Sequence, residues 1–249
     1  MPKTTSKLKN TSQPKKKPKP KTTEFDSPWK DIIERYFPAF IEFFYPALHS
    51  QIDWSKGVKF LDKELSRVVR DAVTQQRRVD KLVEVHLLNG APALLYIHVE
   101  VQSQEETEFE ERMFIYHYRL YDRYGACVMS LAILGDRNKD WRPQSYQYDH
   151  FGCEVWFKFP IVKLLDYRQP EKWAELERSK NPFAYVVRVH LKALETQTNP
   201  RQRLKWKKAL YQELCQAQYS RQEIWELFRF LDWVFILPKS LTLKFNQFV

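Results

Sequence analysis

The sequence predicts an α/β domain, a mixed sheet flanked by helices, with a helical C-terminal extension. Three observations predict it. The apolar period changes from helical to alternating near Val79 and returns to helical after Glu105. Asn89-Gly90 sits between two alternating runs, which is the strongest short signal for a hairpin. From about Gln169 onward every periodic stretch is helical. The resulting order of helix, strand, strand, helix, strand and further strands fits a sandwich around a mixed sheet.

Composition permits such a core and excludes several classes of function. The chain has 249 residues, 43% hydrophobic and 15% aromatic, enough for one large domain or a domain with an appendage. With only five glycines, neither a P-loop nor a dinucleotide fingerprint occurs, so no organic cofactor is expected. Cys127, Cys153 and Cys215 are far apart and show no zinc-like spacing, as in a reducing, cytoplasmic compartment. No apolar run is long enough for a membrane span, and no apolar segment follows the basic N-terminus as in a secretory signal. The formal charge of +10 comes from a tail, since eight lysines precede Glu24. Removing those eight from 41 leaves 33 basic residues against 31 acidic, a body near neutrality.

The elements follow in order. Residues 1–24 are rich in Lys, Pro, Thr and Ser, and predict a disordered basic arm that either adds salt-sensitive phosphate affinity or merely solubilises. Asp26-Ser27-Pro28 opens a helix through Tyr36, and an aromatic stretch from Phe37 to Tyr45 follows. Leu61, Leu65, Val68 and Ala72 predict a second helix over about 59–72. Residues 79–88 and 93–102 alternate as two strands of a hairpin. The acidic run from Glu105 opens a helix to Tyr124, with Phe109, Met113, Tyr116 and Leu120 along one stripe and Gly125 as its stop. Strands are predicted at 126–134, 145–149 and 154–159, and helices near 171–178, 182–195, 199–217 and 220–233. The chain then runs out at 244–249 without a recognisable closing element, the pattern of a fragment.

The chemistry lies in the hairpin. Glu100 and Gln102 are two apart on one strand and therefore share a face, while the opposite face is aliphatic. A carboxylate on a sheet packed on both sides needs a partner, because burying an unpaired charge is costly. A divalent cation is one such partner. Asp80 lies on the neighbouring strand, opposite its aliphatic side, and Glu64 lies beside the apolar stripe of the preceding predicted helix. Carboxylates converging on one sheet edge suit Mg²⁺, which activates water and stabilises a pentavalent phosphate. His98 shares the face of Glu100 and reads as a packed histidine.

Several segments together resemble one family. They are Arg78-Val79-Asp80-Lys81-Leu82-Val83-Glu84-Val85, then Leu95 to Gln104 with its His98-Val99-Glu100-Val101-Gln102 centre. Phe109 to Tyr116 with Arg119, Asp122, Arg123 and Tyr124, Phe60 to Leu65, and Ser130 to Leu134 complete the set. Over residues 25–168 the chain resembles the Rpn-like, transposase-associated branch of the PD-(D/E)XK nuclease superfamily. The resemblance implies a restriction-endonuclease-like core in which Asp80 and Glu100 bind Mg²⁺ or Mn²⁺. It also implies that Glu64 is the acid of the first core helix, and that Gln102 stands where the superfamily usually has a catalytic lysine. Glutamine supplies no positive charge to a developing phosphorane, so Lys81 or Lys63 is the candidate substitute.

The expected organisation is thus a basic arm at 1–24, a nuclease-like domain at 25–168 and a helical region at 169–249. The expected function is Mg²⁺-dependent cleavage of DNA, linked to mobile-element or recombination activity. A DNA-binding accessory protein that keeps the fold with little chemistry is the alternative, and a purely structural protein the third reading. Arg112, Arg119 and Arg123 recur on one side of their helix as candidate phosphate contacts, in competition with ion pairs to Glu105, Glu108 or Asp122. The basic run Arg201, Arg203, Lys205, Lys207 and Lys208 reads as a solvated helix face. Two coordinated cuts would favour a homodimer.

Overall fold

The computed structural model describes residues 26–63, 65, 79–100 and 108–249, with only the backbone at 26, 27, 79, 80 and 98–100. The predicted arm at 1–24 and most of the predicted 59–72 helix lie outside the described residues. What is described of that helix departs from expectation. Lys59 and Phe60 form a short strand, β1, in register with Glu84 and Val83, and helix begins only at Asp62.

The chain opens with α1 (Asp26–Arg35), α2 (Phe37–Phe44) and α3 (Pro46–His49). The aromatic stretch is therefore helical, and the spacing of its buried residues, Phe37, Phe40, Ile41 and Phe44, is that of one helix face. Next come β2 (Val79–His86), β3 (Pro92–Glu100), α4 (Phe109–Tyr124) and β4 (Cys127–Leu134). A separate hairpin follows, β5 (Ser145–His150) with β6 (Cys153–Lys158), and then β7 (Ile161–Lys163). The rest is helical: α5 (Pro170–Arg178), α6 (Pro182–Glu195), α7 (Pro200–Gln216), α8 (Arg221–Val234) and α9 (Lys239–Asn246). The last helix was not foreseen. It docks through Phe245, which is 2% exposed and sits beside Tyr211 and Phe228.

The sheet is mixed, in the order β1-β2-β3-β4-β7, with the first two pairings antiparallel and the last two parallel. Alternation decides what each face meets. Val83, Val85, Leu95, Ile97, Leu131 and Ile133 join one core with Trp29, Phe40, Phe183 and Phe230 of the N- and C-terminal helices. Leu82, Leu94, Tyr96, Ala132 and Leu134 join a second core with Phe109, Met113, Tyr116 and Leu120 of α4. At ~1.5–3 kcal/mol for each large apolar side chain buried, these two layers are the main source of stability. Because the first core runs through α6 and α8, the C-terminal helices form one layer of the sandwich. α6 is buried nearly all round, as a helix packed between sheet and helices must be.

Local chemistry sets the boundaries. Gly125 ends α4 at φ 56, a left-handed conformation that glycine adopts without steric cost. Asn181 accepts from the Phe183 amide at the start of α6, and Ser220 and Glu223 form a capping box on α8. The basic run of α7 is corrected in part, because Arg203 and Lys207 are 7% and 3% exposed. Arg203 donates to Ala193 O (2.7 Å), Val234 O (2.5 Å) and Ile236 O (2.9 Å), and Lys207 donates to Phe235 O (3.0 Å). These are carbonyls at and beyond the C-terminal ends of α6 and α8, which intrahelical bonding leaves without partners.

Candidate active site at the carboxyl edge of the sheet

β2 and β3 pair with Asp80 opposite His98 and Leu82 opposite Tyr96. Directly opposed residues share a face, so Asp80 and Glu100 hold register positions on the α4 side of the sheet, one diagonal step apart. Glu100 is the last residue of β3 and pairs with Leu134, the last of β4, which pairs with Lys163, the last of β7. These carboxyl ends of parallel strands form the edge where open α/β sheets commonly bind ligands. Asp80, near the start of the antiparallel β2, comes to the same edge. Their side chains lie outside the described residues, as do Glu64 and Gln102 altogether. Among the described residues no group of three or more His, Cys, Asp or Glu could hold a metal ion.

Side chains are described along the rest of this edge. Lys163 and Asp136 form an ion pair of 2.5 Å, with side chains 0% and 3% exposed. Lys163 also donates to Trp141 O at 3.0 Å, and its ammonium lies 5.3 Å from the centroid of the Trp141 ring. Asp136 accepts from the Asn138 amide at 2.8 Å, which fixes the loop leaving β4. Trp141 meets Phe109, the first residue of α4, edge to face at 5.3 Å. The guanidinium of Arg112 lies 5.1 Å from the Phe109 ring on the next turn. The end of β4, the loop after it and the start of α4 are therefore held as one unit beside the position of Glu100.

The three arginines of α4 part company. Arg112 is 5% exposed and packed on Phe109, Arg119 is half-buried, and Arg123 is exposed beside the Tyr124 ring. Lys81, the proposed substitute for the missing lysine, is committed elsewhere. It holds a position on the face opposite Asp80, is 2% exposed, and donates to Glu34 Oε2 and Asp62 Oδ2 at 2.6 Å each. Lys63 is exposed.

A buried cation at the carboxylate edge, which sequence reasoning passed over, is Lys163. A lone lysine in the apolar run Ile161 to Leu165 was a usable signal, since lysine is buried almost only when paired. Farther down the same face, His117 Nδ1 lies 3.1 Å from Ser130 Oγ, and burial holds the imidazole below its ordinary pKa. Ser130 is 4% exposed, so the pair ties α4 to β4. Clefts of about 250 and 500 Å³ lie elsewhere, between α1 and α8 and beside the loops flanking α6 and α8.

No family model matches this chain, and no curated protein or solved structure matches it.

Proposed function

We propose that this chain is a Mg²⁺-dependent DNA endonuclease of the PD-(D/E)XK type, linked to mobile-element or recombination activity. The observation that carries the reading is the register that puts Asp80 and Glu100 on one face of adjacent strands, at the edge where β3, β4 and β7 end. A diagonal pair of this kind is separated by roughly 7–8 Å, within reach of a shared ion for two carboxylate side chains. When bound, the ion supplies Lewis acidity and a water of lowered pKa. Asp80 and Glu100 would hold it, with Glu64 as a further carboxylate and Gln102 as an uncharged amide in place of the usual lysine. The Lys163–Asp136 pair keeps the neighbouring loop in place.

A metal site predicts a specific stability response. Bound ligand at a hundredfold excess over Kd contributes about 2.7 kcal/mol to the folded state. For a chain of this size that raises Tm by roughly 5–10 °C. Mg²⁺ or Mn²⁺ is expected to raise the melting temperature against EDTA in the wild type and to leave Asp80→Ala and Glu100→Ala unmoved. An equal shift in all three proteins would remove these carboxylates from the reading.

A DNA-binding protein with little chemistry is the second reading, favoured by the commitment of Lys81 to Glu34 and Asp62. It predicts DNA retention that survives Glu100→Ala, together with a wild type that does not cut.

A further inference from the structure

The groove between α1 and α8 is lined on one wall by Asp31 and Ile32 and on the other by Arg229, Phe230 and Trp233. Its volume of about 250 Å³ is smaller than the ~300–1,000 Å³ of ordinary ligand clefts, so an enclosed small molecule is a poor occupant. The lining mixes apolar residues with Asp31, Arg35, Glu226 and Arg229. Trp225 and Trp233 are 54% and 36% exposed, and they follow one another with Arg229 at helical spacing of four along α8. Arg229 lies 4.8 Å from the Trp225 ring, which presents its guanidinium at the groove. Exposed aromatic and arginine side chains in one stripe are the composition of an interface core.

The charges decide the partner. Glu226, inside the groove, is already committed to Tyr36, Arg35 and Gln222. Asp31 and Arg229 face the groove from opposite walls, and neither has an ion-pair partner among the described residues. A two-fold contact brings residue i of one copy to residue j of the other and j to i. One unpaired acid and one unpaired base on facing walls satisfy that rule with themselves. The near-neutral body, 33 basic against 31 acidic residues outside the lysine tail, imposes little repulsion between copies.

We infer that the α1–α8 groove is the interface of a two-fold homodimer, in which Asp31 meets Arg229 of the partner subunit twice and the Trp225–Trp233 stripes pack together. This assignment stands apart from the proposed nuclease chemistry, because it uses helices on the opposite side of the sheet from Asp80 and Glu100.

Sedimentation velocity on the full chain tests it, from about 1 to about 100 µM, a range that covers the weak end of such interfaces. The expected species has twice the 30.2 kDa of one chain. Trp233→Glu, Asp31→Arg and Arg229→Asp are each expected to weaken association by roughly tenfold or more. The double variant Asp31→Arg/Arg229→Asp restores it, since the exchanged charges still meet across the two-fold. Matching circular dichroism and melting curves establish that each variant is folded. A wild type that is monomeric throughout overturns the proposal, whatever peptide or other protein the groove then holds. So does a dimer indifferent to Trp233→Glu, or a double variant as weak as the single ones.

Discussion

Lys81 and Lys163 are both buried lysines on sheet strands, and they differ in the exposure of their acids. Glu34 and Asp62, which hold Lys81, are 54% and 39% exposed and rehydrate if the ammonium is removed. Asp136, which holds Lys163, is 3% exposed and would be left as a buried unpaired charge. Lys163→Met is therefore expected to cost about 3–5 kcal/mol, the penalty for breaking a buried pair. Lys81→Met is expected to cost about 1 kcal/mol or less, as for screened pairs. Urea denaturation at neutral pH measures both, and equal losses would contradict the argument.

His190 gives a residue-scale prediction in pH. Its Nε2 donates to Gly135 O at 2.9 Å, while Nδ1 has no partner among the described residues and the ring meets the edge of Trp29. Burial pushes the imidazole down to about 4, because a second N–H would be desolvated without an acceptor. A depressed histidine favours the folded state above the unfolded value near 6.5, and that contribution is lost as pH falls from there toward 4. The full loss is about 3 kcal/mol. His117, also lowered by burial, acts in the same direction, whereas the lowered carboxyls of Asp166 and Glu226 weaken the fold only at more acid pH. Stability measured at pH 7 and pH 5 is expected to differ less in His190→Gln than in the wild type, and an unchanged difference would remove His190 as the cause.

At the scale of elements, the β5–β6 hairpin holds a strained residue at its tip. Phe151 and Gly152 form the two-residue loop between His150 and Cys153, both with positive φ (53° and 83°). That loop geometry prefers Asn-Gly, whereas phenylalanine pays a left-handed penalty with its ring fully in solvent. Phe151→Asn is expected to stabilise the chain by up to about 1 kcal/mol. A lower melting temperature would instead show that the exposed ring has a structural contact.

Elements were legible where local chemistry and period agreed. The β2–β3 hairpin announced itself by alternation around Asn89-Gly90, and α6 by the helical period over 182–195. β1 was hidden because the helical period of Leu61 and Leu65 extends backward over Lys59 and Phe60, whose pairing with β2 is non-local. α2 was obscured by Pro38 and Pro46, although proline suits a helix start. α9 has a single buried residue, Phe245, and so shows little amphipathic pattern. For the candidate site, the shared face of Asp80 and Glu100 followed from alternation. The Lys163–Asp136 pair did not, because its partners are 27 residues apart and meet only through the β4–β7 pairing.

For the whole molecule, one mixed sheet divides two apolar layers. The helices α1, α2, α6 and α8 cover one face and bring residues from both ends of the chain into one core. α4 covers the other face, where Asp80, Glu100 and the Lys163–Asp136 pair gather at one edge. No helix among the described residues is long and apolar enough to cross a membrane. Under the proposed nuclease reading cleavage would depend on the edge and the proposed dimer on the far side of the sheet, so variants in the α1–α8 groove are expected to leave strand nicking intact.

The most direct measurement is nicking of supercoiled plasmid by the purified chain with Mg²⁺, with Mn²⁺, with EDTA, and by the Glu100→Ala variant. Metal-dependent conversion to open circles by the wild type and none by the variant is the expected result. Wild type and variant equally inert with both metals, or equally active in EDTA, would contradict it.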